Sequence, residues 1–210
     1  MREIEILDLS AEQPNPAKPF NGKFHHKRDK HGRIFMRNPK TIDSIVVHQT
    51  ACKFGPASDP VKKHRRALNV SAHCTAFQDG TVVIGHPLLA YVFHGNLLNA
   101  RSIGLECEGI FPGVMIPGHE MISDLALAAY TTAMRILVEQ ARALGCPIKY
   151  VLDHRQSSAS RRSDPGEEIH RKVVREFAVN GLGLKTQVDL VVGDGRAIPR
   201  AWDPDGHVAF

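Results

Sequence analysis

Three side chains that can bind a metal ion stand at the ends of predicted elements, although they lie far apart in the sequence. His48 closes the segment SIVVHQT, His154 closes PIKYVLDH, and Asp164 opens DPGEEIHRKVVREFAV. A catalytic zinc takes three protein ligands of the His, Cys, Asp or Glu type and keeps one position open for water. The three residues meet that condition if the two strands are neighbours in one sheet, which their spacing alone does not establish.

Each of these residues also has an ordinary structural role. A single histidine at a strand end is more often part of the framework than a ligand, and Asp164, before Pro165, is by default a helix cap. Cys52 follows His48 by four residues and is a weaker ligand candidate. The residue types therefore suggest a metal site without deciding it.

The segment SIGLECEG predicts a strand on which two carboxylates share a face. Side chains alternate along a strand, so Glu106 and Glu108 point to the side opposite Ile103, Leu105 and Cys107. Two carboxylates on one face are either a solvated surface or a source of acid–base chemistry. Periodicity does not choose between them.

The elements around these residues predict an α/β fold, a mixed β-sheet flanked by α-helices. SIVVHQT, SIGLECEG and PIKYVLDH are predicted strands, and VSAHCTAFQDGTVVIG is a predicted hairpin that turns at Asp79 and Gly80. Apolar residues recur every three or four positions from Ser123 to Leu144, which predicts an amphipathic helix ended by Gly145. A second helix starts at Pro165.

The chain of 210 residues is long enough for one substantial domain. We predict a basic, partly irregular N-terminal arm over residues 1–41, the domain over 42–182 and a C-terminal tail over 183–210, with some β character in VDLVV. The formal net charge is +5, but residues 18–40 hold eight lysines or arginines against the single Asp29. The positive charge is therefore concentrated in the arm, which we expect to be irregular or to turn back as a hairpin near His31 and Gly32.

Composition excludes several classes of protein. The four cysteines form no CxxC pair, which favours reduced thiols over a disulfide framework or a zinc ribbon. No apolar run reaches the roughly 18 to 20 residues that a membrane span needs. The N-terminal segment has acidic residues where a signal peptide has its apolar core, so we expect a product that is cytoplasmic when made.

Five motifs in one order carry a family resemblance: IVVHQTA, VSAHCTAFQDGTVV, FHGN, NARSIGLECEG and DHRQSSASRRSDPG. Across residues 42–178 the chain resembles the zinc-dependent N-acetylmuramoyl-L-alanine amidases of the type 2 family. That family includes phage lysozyme-amidases, bacterial recycling amidases and animal peptidoglycan recognition proteins. The resemblance implies a mixed sheet with helices and a zinc ion in a cleft.

Position by position, the resemblance places the zinc ligands on His48, His154 and Asp164. It places the catalytic base on Glu106. Many relatives carry a lysine near the scissile carbonyl oxygen, where this sequence has Arg162. An arginine there brings a permanent charge and a planar donor fork, so it retains the means to stabilise an oxyanion. Arg161 is the alternative if the loop is set differently.

Three further residues are candidates to line the substrate groove: His73, His94 and Asn99, the last of which matches a family position near the groove. Each either contacts substrate or supports the fold. The implied activity is hydrolysis of the amide bond between N-acetylmuramic acid and L-alanine, so the implied partner is peptidoglycan or a soluble muropeptide. The basic arm is a solvated extension or binds an anionic cell-wall polymer.

Two other function classes remain beside wall hydrolysis and muropeptide recycling. Some members of the family only bind muropeptide, but this sequence retains all three ligand positions. A nucleic-acid binder would use the basic arm, yet HHKRDKHGR lacks the interleaved aromatic residues of a stacking platform. We therefore expect no nucleic-acid partner.

Overall fold

The computed structural model describes residues 3–20, 22–55, 60–113 and 120–206. Six of the described strands form one mixed sheet: β1 Glu5–Asp8, β4 Ser44–Gln49, β5 Cys74–Ala76, β6 Thr81–Ile84, β7 Ser102–Cys107 and β8 Tyr150–Asp153. Two more, β2 Pro19–Phe20 and β3 Lys23–Phe24, form a small hairpin. The order of the strands in the sheet is β1-β6-β5-β7-β4-β8.

In the described part of the chain, three α-helices accompany the sheet: α1 Pro60–His64, α2 Asp124–Ala143 and α3 Glu167–Ile169, the last continued by π-type turns over His170–Gly181. The Ser123 hydroxyl accepts a hydrogen bond from the Ala126 N–H at 3.2 Å and so caps α2. The predicted α/β class and the long helix are confirmed. Among the described residues, no helix has both the length and the apolar character that crossing a membrane requires.

The sheet separates the main apolar core from an opposite, more polar face, which also carries a small apolar cluster of Val46, Leu98 and Leu152. Ile45, Val47 and Leu105 point into the main core, where Met134 and Leu137 of α2 also lie. Their neighbours along the strands point the other way, since side chains alternate. The polar face therefore carries His48 and Glu106, as the strand pattern predicts.

Strand register brings the polar residues together at one edge. The strands β7, β4 and β8 are parallel neighbours, with His48 opposite Glu106 and Val47 opposite Asp153. Because parallel strands end at the same edge, His154, the residue after β8, lies beside His48. The sheet order supplies the adjacency that sequence spacing leaves open.

The described residues from 3 to 41 contain more regular structure than the predicted arm. Glu5–Asp8 forms an edge strand that pairs in parallel with β6, although EILD has only four residues and no clear alternation. Arg28 and Ile34 form an antiparallel bridge, so the predicted turn near His31 and Gly32 is confirmed. Arg37 is buried and donates to the Asn99 and Ser102 carbonyls.

Two local predictions are wrong in detail. Phe77 N–H donates to the Thr81 carbonyl at 2.8 Å, so the hairpin that contains Asp79 and Gly80 closes over three residues instead of two. The VDLVV segment of the tail forms no strand. Its residue Val188 packs with Ile198 and Trp202 in a small separate cluster.

A buried ion-pair network joins β8, the last helix and the tail. His170 Nδ1 lies 2.7 Å from Asp153 Oδ2, and His170 Nε2 lies 3.5 Å from Asp203 Oδ2. Burial alone would lower the pKa of His170, but the two carboxylates outweigh it and raise this pKa to about 9. The histidine is therefore charged in the folded protein at neutral pH.

We predict that this network makes stability fall at alkaline pH. The folded chain holds the His170 proton up to about pH 9, whereas an unfolded histidine releases it near pH 6.5, so the contribution is complete below about pH 6.5 and is lost through about pH 9. Its full size is on the order of 3 kcal/mol. Denaturant unfolding across pH 6 to 10 should show this loss in the wild type and not in His170→Gln.

The control is His31→Gln, which changes an exposed histidine in the turn between Arg28 and Ile34 and should behave like the wild type. An identical pH dependence in His170→Gln would contradict the assignment.

Candidate metal centre

Three ligand atoms of the predicted set converge at the edge of the sheet. His48, His154 and Asp164 are buried, and one ligand atom from each lies within 4.8 Å of the other two. His48 Nδ1 and His154 Nδ1 are 2.9 Å apart, and His154 Nδ1 is 2.9 Å from Asp164 Oδ2. The other carboxylate oxygen, Asp164 Oδ1, accepts the Gln49 N–H at 2.8 Å. The side chain of Asp164 is therefore fixed by the residue that follows His48.

A hydrogen-bond relay assigns the tautomer of His48. The Ser102 hydroxyl donates to the Leu98 carbonyl, so at His94 Nε2 both the Ser102 hydroxyl and the Ser102 carbonyl are acceptors. His94 therefore carries its proton on Nε2 and accepts at Nδ1. His48 Nε2 lies 3.1 Å from that Nδ1 and must donate. The Nδ1 lone pair of His48 is left facing His154 and Asp164.

Burial keeps both rings of the relay neutral. Burial lowers the pKa of His48 well below its ordinary value, and His154 and His94 add to the effect. Burial, followed by the charge of Arg37, lowers the pKa of His94 to about 3. Neutral imidazole is the form that binds metal ions.

The donor set fits a zinc ion. Imidazole nitrogens bind zinc at about 2.0–2.1 Å, which places the ligand atoms of a tetrahedral site about 3.3 Å apart. The observed separations of 2.9 Å reach that value with shifts of a few tenths of an ångström. When His154 carries its proton on Nε2, two nitrogen lone pairs and a carboxylate face one point, and they repel one another unless a cation lies between them. The arrangement is thus complementary to a small cation.

Gly104 gives His94 the space it occupies. A Cβ atom at position 104 would lie 2.8 Å from His94 Cγ and Nδ1, closer than any side chain tolerates. The glycine of SIGLECEG therefore lets the His94 ring lie against β7 and reach His48. This explains why the strand has a glycine on its polar face.

The structure distinguishes Glu106, which lies in β7, from Glu108, which follows the end of that strand. Glu108 is buried, and its two oxygens accept the N–H groups of Phe54 at 2.7 Å and Gln78 at 2.9 Å. Glu106 is half-buried beside the candidate ligands. Burial raises the pKa of Glu106 well above its ordinary value, the charge of Asp164 adds to the rise, and Arg161 opposes it. Glu108 anchors two loops, and Glu106 is the one suited to exchanging protons.

Of the two neighbouring arginines, Arg161 acts on the centre. Its charge lowers the pKa of both Glu106 and His48, after the larger effects of burial and nearby groups. Arg162 instead lines a separate open cavity of about 400 Å³ together with Arg155 and Arg196. The loop is therefore set so that the side chain predicted for the oxyanion, Arg162, faces another pocket.

Comparison with known proteins identifies the domain. Residues 38–167, more than half of the chain, match the family model described as N-acetylmuramoyl-L-alanine amidase. The chain belongs to this amidase family. The match includes all three candidate ligands and Glu106, and it leaves out Arg37 and the tail. No curated protein matches the chain.

Solved structures share the fold of this amidase domain at low sequence identity. The endolysin N-acetylmuramoyl-L-alanine amidase LysCS from Clostridium intestinale matches with a TM-score of 0.53 at 18% identity, over 88% of this chain and 99% of that one. A peptidoglycan recognition protein chain from the LCa–LCx complex bound to tracheal cytotoxin gives 0.55 at 20% identity, over 81% and 95%. Drosophila peptidoglycan recognition protein SD gives 0.52 at 22% identity, over 82% and 95%.

The three residues predicted near the substrate groove have framework contacts. His73 is fully buried, and its Nδ1 accepts the Gly104 N–H at 2.9 Å. The Asn99 side chain accepts the N–H groups of His94 at 2.9 Å and Gly95 at 2.6 Å. His94 holds His48. All three side chains are buried, so these contacts support the framework of the centre, and contact with substrate stays a prediction.

Sequence reasoning missed two residues at the centre. Gln49 fixes Asp164 through its backbone and donates its side-chain amide to the Phe111 carbonyl at 2.9 Å. Arg37 reaches the Ser102 carbonyl from the N-terminal arm, at the end of the His48–His94 relay. Gln49 lies next to a ligand in the sequence, which is a usable signal. Nothing in the sequence around Arg37 distinguishes it from the other basic residues.

We predict that the relay tunes metal affinity. His94→Phe removes the acceptor for His48 Nε2, frees the ring to adopt the other tautomer and should weaken zinc binding about 10- to 100-fold. Competition with a chromophoric chelator measures the change. The same substitution at His64, which instead pairs with Asp79 at 3.1 Å, should leave zinc affinity unchanged. Equal affinity in the wild type and His94→Phe would refute the role of the relay.

Proposed function

We propose that the protein is a zinc-dependent N-acetylmuramoyl-L-alanine amidase that hydrolyses the amide bond between N-acetylmuramic acid and L-alanine in peptidoglycan. The observation that carries this proposal is the convergence of His48, His154 and Asp164 at the strand edge where Glu106 also lies. Membership in the amidase family supports the same activity.

The three ligands would hold the zinc through His48 Nδ1, His154 Nδ1 and one Asp164 oxygen, in keeping with the usual three-ligand pattern of catalytic zinc. When bound, zinc lowers the pKa of a water molecule to about 7 and polarises a carbonyl group. The protein's part is to hold the ligand side chains in place. The relay orients His48, and the Gln49 N–H fixes the Asp164 carboxylate.

Glu106 is the proposed proton carrier. Its carboxylate takes a proton from the attacking water as the water oxygen bonds to the carbonyl carbon. It then returns the proton to the departing nitrogen of L-alanine as the carbon–nitrogen bond breaks. Burial raises its pKa, which improves its ability to accept the first proton and to hold it until the second step.

Arg161 is the proposed cation for the oxygen of the scissile carbonyl. Its charge acts on both Glu106 and His48, whereas Arg162 lines a cavity with two other arginines. A fixed donor at a developing oxyanion stabilises the transition state more than the ground state. We therefore transfer the role predicted for Arg162 to its neighbour.

The proposed substrate is intact wall peptidoglycan, reached after release from the cell that makes the protein, with soluble muropeptide as the alternative. The basic hairpin in which Arg28 pairs with Ile34 favours the wall as substrate. Around an open cavity of about 530 Å³ it presents Lys27, Arg28 and Lys30 beside Phe24 and Phe93, an arrangement complementary to an anionic wall polymer. A non-catalytic peptidoglycan binder is the competing function, and an assay for bond cleavage separates the two.

The proposed activity predicts cleavage of purified sacculi in the presence of zinc, with new L-alanine amino termini and unsubstituted muramic acid lactyl groups. Glu106→Gln should lower the rate about 100- to 10,000-fold because it removes the proton carrier, and it should still bind zinc. Glu108→Gln, the same change two residues further along the chain, should retain the rate and lose thermal stability. Zinc-loaded wild type that releases no L-alanine termini from sacculi or soluble muropeptides would end the amidase proposal.

The arginine assignment predicts a difference between neighbours. Arg161→Ala should lower kcat about 100- to 1,000-fold, as expected for loss of one oxyanion donor. Arg162→Ala, with the same loss of charge one residue away, should leave kcat within a few-fold. Steady-state kinetics on a muramoyl-peptide substrate measure both. The reverse order of effects would return the role to Arg162.

A further inference from the structure

The loop between the second and third ligands has little apolar support. Residues 154–164 form short single turns, and Ser160, Arg161, Arg162 and Ser163 are exposed. Such a loop loses much conformational entropy when it is fixed in one shape. Polar contacts must therefore hold Asp164 in place.

Arg155 supplies these contacts within the loop. Its backbone N–H donates to the Asp164 carbonyl at 3.0 Å. Its Nη1 donates to the Arg162 carbonyl, two residues before the ligand. Arg155 directly follows His154, so one residue ties the backbone of the second ligand to the backbone of the third. The Gln49 N–H fixes the Asp164 carboxylate, and Arg155 fixes the chain that carries it.

The C-terminal tail holds Arg155 from the other side. Arg155 Nε donates to the Ala197 carbonyl at 3.0 Å, and the Arg155 carbonyl accepts the Arg196 N–H at 2.8 Å. The guanidinium lies 4.6 Å from the centre of the Trp202 ring. Trp202 is itself buried, with only 2% of its surface exposed. The arginine is thus clamped between the ligand loop and the tail.

The next residue extends the same contact. Gln156 donates its side-chain amide to the Gln187 carbonyl at 2.6 Å, and its carbonyl accepts the Val192 N–H at 2.8 Å. A Cβ atom at Gly195 would lie 2.0 Å from the Gln156 oxygen. The tail backbone therefore packs directly on the start of the ligand loop, at a distance that only glycine permits.

We infer that Arg155 is a positioning residue of the metal centre and that the tail residues Ala197 and Trp202 hold it in place. This inference rests on the zinc site of the proposed function and adds a part of the chain outside the family match over residues 38–167. The tail is then a component of the centre, because it sets the orientation of the residue that joins two ligands.

The chemistry of the site requires arginine in particular. One planar guanidinium donates to the loop and to the tail in different directions while its face lies against an indole ring. Lysine has a point charge on a flexible chain and cannot provide the fork and the face together. Arg155→Lys should therefore fail to restore the function of arginine.

The test measures zinc affinity by chelator competition in the full chain, together with thermal unfolding of the zinc-free protein. Arg155→Met and Arg155→Lys should raise the Kd for zinc about 10- to 100-fold. Trp202→Leu, which leaves every loop hydrogen bond of Arg155 in place, should raise it by a smaller factor. If Arg155→Met fails to fold, Arg155→Lys and Trp202→Leu carry the test.

Arg101→Met is the matched control. Arg101 also makes two side-chain hydrogen bonds, to Asp43 at 2.8 and 2.6 Å, and lies 5.7 Å from the Tyr150 ring centre. It stands at the start of β7, at the opposite end of the sheet from the ligands. Loss of this arginine should lower thermal stability and leave the zinc Kd within twofold.

The outcomes separate this inference from the proposed function. A wild-type protein that binds no zinc overturns both. A wild type that binds zinc, with Arg155→Met and Arg155→Lys variants of equal affinity, overturns the positioning role alone. The same holds if Arg101→Met weakens zinc binding as much as Arg155→Met, since Arg155 would then act only through general stability.

Discussion

The structure depends on one electrostatic constraint: three potential ligand atoms from His48, His154 and Asp164 converge on a single buried point. When His154 carries its proton on Nε2, these three atoms all present lone pairs, and they repel one another unless a cation lies between them. The surrounding residues keep the lone pairs in this arrangement. Burial holds His48 neutral, and the relay through His94 turns its Nδ1 toward the other two ligands. The folded chain thus maintains a site whose repulsion a cation relieves.

The order and register of the strands make this convergence possible. Three parallel strands end at one edge, and their register places His48 beside both Glu106 and the residue that follows β8. Less regular parts of the chain then complete the centre. Arg37 reaches the relay from the N-terminal side, and Arg155 links the ligand loop to the tail. Both contacts involve segments beyond the 38–167 family match.

Much of this arrangement could be predicted from the sequence, because the signals are local. The long helix follows from its apolar period, and the family motifs bring the three ligand positions together. The sequence does not distinguish the roles of Arg161 and Arg162, because the directions of their side chains depend on how a polar loop packs against a distant tail. The sequence makes His73, His94 and Asn99 candidates for the substrate groove, but only packing shows that their side chains are buried. The strand Glu5–Asp8 gave no signal because its pairing partner, and not its own sequence, makes it a strand.

In the proposed centre, the imidazole nitrogens of His48 and His154 and one carboxylate oxygen of Asp164 bind a single zinc ion. X-ray absorption at the zinc K-edge, on the full chain loaded with one equivalent of zinc, observes these ligands directly. We expect two imidazole nitrogens and oxygen ligands at about 2.0–2.2 Å, with no sulfur. In Asp164→Asn, the ion should lose its carboxylate or be released. A spectrum with sulfur at about 2.3 Å, or one without imidazole scattering, would contradict the account.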